Sequence, residues 1–220
     1  MPFTVERAER LKELLLWIES NGEDGDGELS YRAVPYLKET DETVKAQLSE
    51  SAPDRETLHD SAVILHYLAR AYGRLGRFAV SAAYYQRAIA LAAALAENHG
   101  EHIEDESTMV YNALKARNYY VDDDCADLRP LALAFLGEAT TADVFETVMS
   151  RRRNLKHDPV EATEEYLAVI DEVDEWIEKN REYRGFGSCH HVWRLKAEYL
   201  AKKGITWRSP AALNPRVRFD

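Results

Sequence analysis

Three adjacent residues with reactive side chains, Cys189, His190 and His191, open the stretch GSCHHVWRLKAEYLAKKG between Gly187 and Gly204. A thiol beside two imidazoles suits nucleophilic catalysis or zinc coordination. Ser188 is a natural N-cap and Gly204 a natural C-terminal stop, with Lys202 and Lys203 at the negative end of the dipole. The three residues therefore fall in the first turn of a helix. Successive residues there turn by about 100° and do not share a face. Cys189 then joins the apolar stripe of Val192, Trp193 and Leu200, while His190 takes a flank and His191 the opposite side. A helical metal pair needs a spacing of three or four residues, as in HExxH, so no zinc site is expected here. A thiol nucleophile fits better, because a helix N-terminus lowers a cysteine pKa and a neighbouring His can act as base. Inward placement opposes it, since burial raises a thiol pKa and makes it inert. Cys189 is expected to be structural, and a thiol-dependent enzyme or redox sensor is the alternative.

Other ligand-rich stretches are weaker. YVDDDC, Tyr120 to Cys125, offers Asp122, Asp123 and Asp124 beside a thiol, a set that magnesium or calcium accepts with water. An exposed acidic loop before the helix that starts near Asp127 and Pro130 is expected instead. NGEDGDGE resembles the calcium loop of an EF-hand at Asp24, Asp26, Gly27 and Leu29. The same register puts Gly22 where the first Asp belongs and Ala33 where the bidentate Glu belongs, so a solvated turn is expected. RRRNLKH, Arg151 to His157, suits a helix end and the start of the next better than a nucleic-acid patch. No metal or cofactor is expected.

The elements that must carry these residues are helices, because apolar residues recur at three- and four-residue steps and no stretch alternates as a strand does. Val5, Ala8, Leu11, Leu15 and Ile18 mark a first helix over about 4–20. Two short helices follow, near 30–38 and 42–49, the first disturbed by Pro35. A long helix then starts at Pro53 and stops at Gly76, with Ile64, Leu65, Leu68, Tyr72 and Leu75 as its stripe. The next runs from Arg77 towards Asn98 and Gly100, and so short a turn forces the two antiparallel. Further helices are expected near 107–120, 128–137, 142–153 and 159–180. The last has Asp158 as cap, Pro159 in its first turn, Glu161 reaching back, and Val160, Leu167, Ile170, Val173 and Ile177 as its core face.

LARAYGRLGRFAVSAAYYQRAIAL, Leu68 to Leu91, resembles a tetratricopeptide repeat through Leu68, Ala69, Tyr72, Leu75, Gly76, Phe78, Tyr85 and Ala88. Leu65 stands where that motif often has Trp, Ser81 where it usually has Ala, and no Pro follows the second helix. The likeness covers one repeat, around residues 61–95, and other helices read as degenerate hairpins. It implies stacked antiparallel hairpins forming a short superhelix, and a concave groove lined by the first helix of each pair that receives extended peptides, often through basic side chains. By that resemblance His66, Arg70 and Gly73 face the groove, His66 and Arg70 as polar contacts and Gly73 as the residue leaving room.

The totals fit this picture. The 220 residues are 45% hydrophobic and 30% charged, which excludes a disordered chain. No basic-then-apolar leader opens the sequence and no apolar run approaches the ~18 residues that span a membrane, so a cytoplasmic protein is expected. Cys125 and Cys189 are expected to stay reduced there. A net charge of −11 argues against nucleic acid. From Arg184 to Asp220, however, eight Lys and Arg face only Glu198 and Asp220. That basic tail is expected to dock on the acidic body, with an acidic partner as the alternative. Pro210 and Pro215 make it non-helical, and the ending is similar to those of uncharacterised bacterial proteins, a likeness that implies no activity.

The expected molecule is thus all-α, one domain over 1–203 with its repeat-like hairpin at 53–97 and an irregular tail over 204–220 packed on it. A non-enzymatic helical-repeat protein is expected, binding a protein, a peptide (acidic, or a C-terminal segment) or another copy of itself, but no nucleic acid or membrane.

Overall fold

In the computed structural model, residues 3–21, 29–50, 52–120, 125–150, 155–181 and 188–219 are described. They form helices and connecting loops with no strand among them: α1 (Val5–Asn21), α2 (Val34–Glu50), α3 (Arg55–Arg74), α4 (Phe78–His99), α5 (Glu106–Arg117), α6 (Leu128–Ser150), α7 (Glu164–Asn180), α8 (Ser188–Lys202) and the single turn α9 (Pro210–Leu213). The all-α class follows from the period of the apolar residues. Contacts divide the chain in two, one unit of residues 1–117 with 123–152, the other of 118–122 with 153–220. The expected single body over 1–203 is therefore corrected: 204–220 belongs to the second unit together with α7 and α8.

Helices α3 and α4 form the centre of the first unit. Asp54 caps α3 by accepting from the Thr57 N–H at 3.0 Å, and Gly76 (φ 71°) turns the chain so that α4 runs back along α3. Leu65, Leu68, Ala69 and Tyr72 of α3 are buried with Ser81, Tyr85 and Ala88 of α4. The small residues allow close approach, and the Ser81 hydroxyl donates to the Ala69 carbonyl across the pair at 2.7 Å. Helix α4 also packs against α5 and α6. Its alanines make it long and apolar enough to cross a membrane, at a mean hydropathy of 1.2. Gln86, Arg87 and Glu97 interrupt it, so it holds no apolar run of that length, and it packs against α3, α5 and α6.

Several local expectations change for physical reasons. Helix α2 is continuous from Val34, because Pro35 occupies its first turn, where no N–H is needed. Asp41, which lies between the two short helices expected from the sequence, is buried in α2 and links it to α4: its oxygens accept from Arg87 Nη1 at 2.7 Å and Lys45 Nζ at 2.8 Å. The helices expected near 128–137 and 142–153 abut as α6, broken at Gly137 (φ 74°, ψ 170°).

In the second unit Tyr166, Ile170, Val173 and Ile177 of α7 are buried with Leu195 and Leu200 of α8 and Ile205 and Trp207 beyond it. Leu167, expected in that face, is 38% exposed. Asp158 caps only a 3₁₀ turn over Pro159–Ala162, and Thr163 caps α7 proper by accepting from the Tyr166 N–H at 3.4 Å. The tail is not wholly irregular, since Ser209 and Pro210 start α9. It is tied in by Asn214, whose side chain accepts from Lys156 N and donates to Lys156 O, both at 2.9 Å. The acidic α7 meets the basic end of α8, with Glu172 accepting from Lys203 at 2.6 Å and from Tyr199 at 3.2 Å.

Candidate functional site

Helix α1 has more apolar surface than one neighbour can cover. Leu11, Leu14 and Ile18 are buried, and α2 is the helix packed against α1. Two arginines strengthen that contact. Arg7 donates to Gln47 Oε1 at 2.9 Å and pairs with Glu50, while Arg10 grips Glu39 through Nε at 2.6 Å and Nη2 at 2.9 Å. Glu39 is held below the usual carboxylate range by its bonds from Arg10. A second stripe of Val5, Ala8, Leu15 and Leu16 remains, with Val5 75% and Leu16 51% exposed.

Helix α3 supplies the facing wall. Its buried stripe is committed to the core, but Val63, on the other side, is 45% exposed and Ile64 is half-buried. Val63, Ile64 and Asp60 of α3 line an open groove of about 370 Å³ together with Ala8, Leu11, Lys12, Leu15 and Leu16 of α1 and with Phe3. Apart from Lys12 and Asp60, every lining side chain is apolar. No acid–base pair, nucleophile or cluster of metal ligands lies among these residues, and what they offer is desolvation of an apolar ridge. Sequence reasoning placed Val5, Ala8 and Leu15 in the core. The available signal was Leu14-Leu15-Leu16, which points leucines around most of the helix.

The residues expected to form a binding site on α3 are placed differently from one another. Arg70 is exposed. His66 is half-buried with its ring 5.7 Å from that of Tyr85, and its Nε2 is enclosed without a hydrogen-bond partner. Burial, and then the nearby Arg70 charge, push the His66 pKa below its ordinary value. Burial pushes the Tyr85 phenol up, against the opposing effects of Arg70 and Asn112. Gly73 is half-buried, and a Cβ there would sit 3.4 Å from Ser81 Oγ of α4.

On α8 the three adjacent residues separate, as helical geometry requires, but not on the expected sides. His190 is exposed and donates from Nε2 to the Phe219 carbonyl at 3.3 Å, with its ring edge-on to Trp193. His191, expected to face outward, is half-buried. Its Nδ1 accepts from Arg194 Nη2 at 3.0 Å and its Nε2 is enclosed without a partner. Cys189 is half-buried. Cys125 is fully buried at φ 52°, and neither cysteine is in a disulfide. Among the described residues no group of three or more His, Cys, Asp or Glu is placed to hold a metal. Asp122 to Asp124, the calcium-like loop at 22–28 and the basic residues at 151–154 lie outside the described residues.

A dense polar constellation among the described residues lies in the second unit, around Glu161. Glu161, expected to reach back as part of a helix cap, is buried instead. Its Oε1 accepts from Trp207 Nε1 at 2.7 Å and Lys196 Nζ at 3.2 Å, and its Oε2 lies 3.4 Å from His157 Nδ1 and from the Tyr120 hydroxyl. Burial pushes its pKa up, but the His157 bond, the Lys196 charge and the Trp207 N–H outweigh that and hold it at about 2. Lys196 sits 4.7 Å over the Trp207 ring and 5.2 Å over Tyr166. Beside it, Asp158 Oδ2 accepts from Arg208 N at 2.7 Å and Nε at 3.2 Å. Together these acids fix the returning chain through Trp207 and Arg208.

In comparison with known proteins, no protein-family model matches the chain, and no curated protein or solved structure matches it.

Proposed function

We propose that the protein is a non-enzymatic helical-repeat module of the cytoplasm and that its first unit binds a protein or peptide partner. The observation that carries this reading is the open apolar groove between α1 and α3, where Leu16 and Val63 stand about half exposed. Contiguous apolar surface of this kind, rimmed by charges, marks interaction sites. Two further features support it. The tetratricopeptide-like positions Leu68, Ala69, Tyr72, Tyr85 and Ala88 are all buried at the α3–α4 contact, as the repeat-like reading requires. The packing of α4 on α5 and α6 is consistent with further hairpins added to the first, a short superhelix in this reading.

The test is co-purification from native host lysate with the wild-type chain and with a Leu16→Asp, Val63→Asp double variant. Both positions are solvent-accessible, so the variant keeps its helical circular dichroism and melting temperature. Expected is a partner retained by the wild type and lost, at least tenfold, by the variant, since a charge facing a desolvated apolar ridge costs more than about 1.4 kcal/mol. Equal recovery by both chains contradicts the groove as the binding surface.

A further inference from the structure

We infer that the groove receives one amphipathic helix of a partner protein, with an apolar ridge facing α1 and α3 and a Lys/Arg-rich flank. The inference rests on the binding reading above and adds the chemistry of the occupant. Both walls are helices, whose interior N–H and C=O groups are already paired. The groove therefore offers no strand edge, and an extended peptide laid in it would leave its own backbone polar groups unpaired against aliphatic side chains. A helix satisfies its backbone internally and presents apolar side chains at three- and four-residue steps, which suits the Leu15, Leu16, Val63 and Ile64 surface. At about 370 Å³ and open along one side, the groove takes a ridge of side chains. A small ligand would need far more complete enclosure.

Charge decides the flank. The first unit carries 26 Asp and Glu against 16 Lys and Arg, a net of −10, whereas the second has 13 against 12. On α1 the two arginines are drawn to α2 by Glu50 and Glu39 and are unavailable to a ligand. At the groove, Lys12 is the cation among the lining residues. It is opposed by Asp60 in the wall, by Glu9 one turn before it on α1, and by Glu56 one turn before Asp60 on α3. An acidic flank would meet like charges on both walls, and a basic flank meets opposite ones. This reverses the acidic partner that the basic tail suggested, because the positive charge of that tail is partly met by Glu172 and Asp158 within the second unit.

The test uses the full chain and two fluorescein-labelled model peptides of equal length and identical Leu ridge, one flanked by Lys and the other by Glu. Fluorescence anisotropy is expected to show the Lys peptide bound at least about tenfold more tightly. That gap should shrink as salt rises, since rim charges are screened beyond about 8 Å at physiological ionic strength. The Leu16→Asp, Val63→Asp variant, still folded by circular dichroism, should lose the Lys peptide. Equal or tighter binding of the Glu peptide overturns the inference. So does undiminished binding of the Lys peptide by the variant, which would mark non-specific attraction to an acidic surface. A dimer in sedimentation that the double variant dissociates would give the groove to a second copy and also overturn it. If neither peptide binds while the variant still loses its co-purified partner, the helical occupant is wrong and the groove stands. If the variant also keeps that partner, both readings fall together.

Discussion

Glu161→Ala is expected to destabilise the second unit by about 3–5 kcal/mol, the cost of removing one partner from a buried, hydrogen-bonded ion pair. The substitution leaves the partly buried Lys196 ammonium without this carboxylate and the Trp207 N–H without its acceptor, and it loosens the segment that Trp207 and Arg208 fix. Urea denaturation followed by tryptophan fluorescence reports this directly, because Trp176, Trp193 and Trp207 lie in the second unit and only Trp17 in the first. Acid provides an independent check. The folded pKa of Glu161 lies at about 2, below its ordinary value of 4.5. Its contribution is therefore fully present above about pH 4.5 and is lost as pH falls towards 2, a loss on the order of 3 kcal/mol. Glu161→Gln should start less stable at pH 7 and show a shallower decline over that window. An unchanged slope would mean that the carboxylate is not ionised inside the network.

Leu68→Ala and Leu16→Ala, conservative truncations of the same residue type, should differ sharply. Leu68 is fully buried between α3 and α4, so truncation removes transfer free energy and leaves a cavity, costing about 2–5 kcal/mol. Leu16 is half exposed in the groove, and its truncation should stay within about 0.5 kcal/mol. Chemical denaturation monitored by circular dichroism separates the two. A Leu16→Ala cost approaching that of Leu68→Ala would make the outer stripe of α1 part of the core and would remove the argument for a docking surface.

How much of this was legible depended on whether the information was local. Helical class, the α3–α4 turn and the buried stripe Leu65, Leu68 and Tyr72 all follow from spacing within a few turns, and spacing is what a sequence displays. The coverage of an apolar stripe is not local. Leu11 and Leu15 have the same sequence claim to the core, yet only Leu11 is buried, because α2 covers one side of α1. Glu161 illustrates the same limit. Three residues after Asp158 it has the spacing of a helix-capping glutamate, but its acceptor role is to Trp207, 46 residues further on. The neighbours of a side chain on a returning segment cannot be read from the turn it sits in. The contact of His190 with Phe219, 29 residues further on, is of the same kind, since the end of the tail comes back to α8. Gly73 lies beside Ser81 because antiparallel pairing sets the two opposite each other.

The central claim is that a partner docks between α1 and α3. Its most direct test places a photo-crosslinking side chain at Leu16 in the full-length chain and, separately, at Leu133, which is 41% exposed on α6 and serves as a control of similar accessibility. Irradiation with the co-purified partner should give a crosslinked product from position 16 and little or none from position 133. Equal yields from both positions, or a product from position 133 alone, would contradict the account.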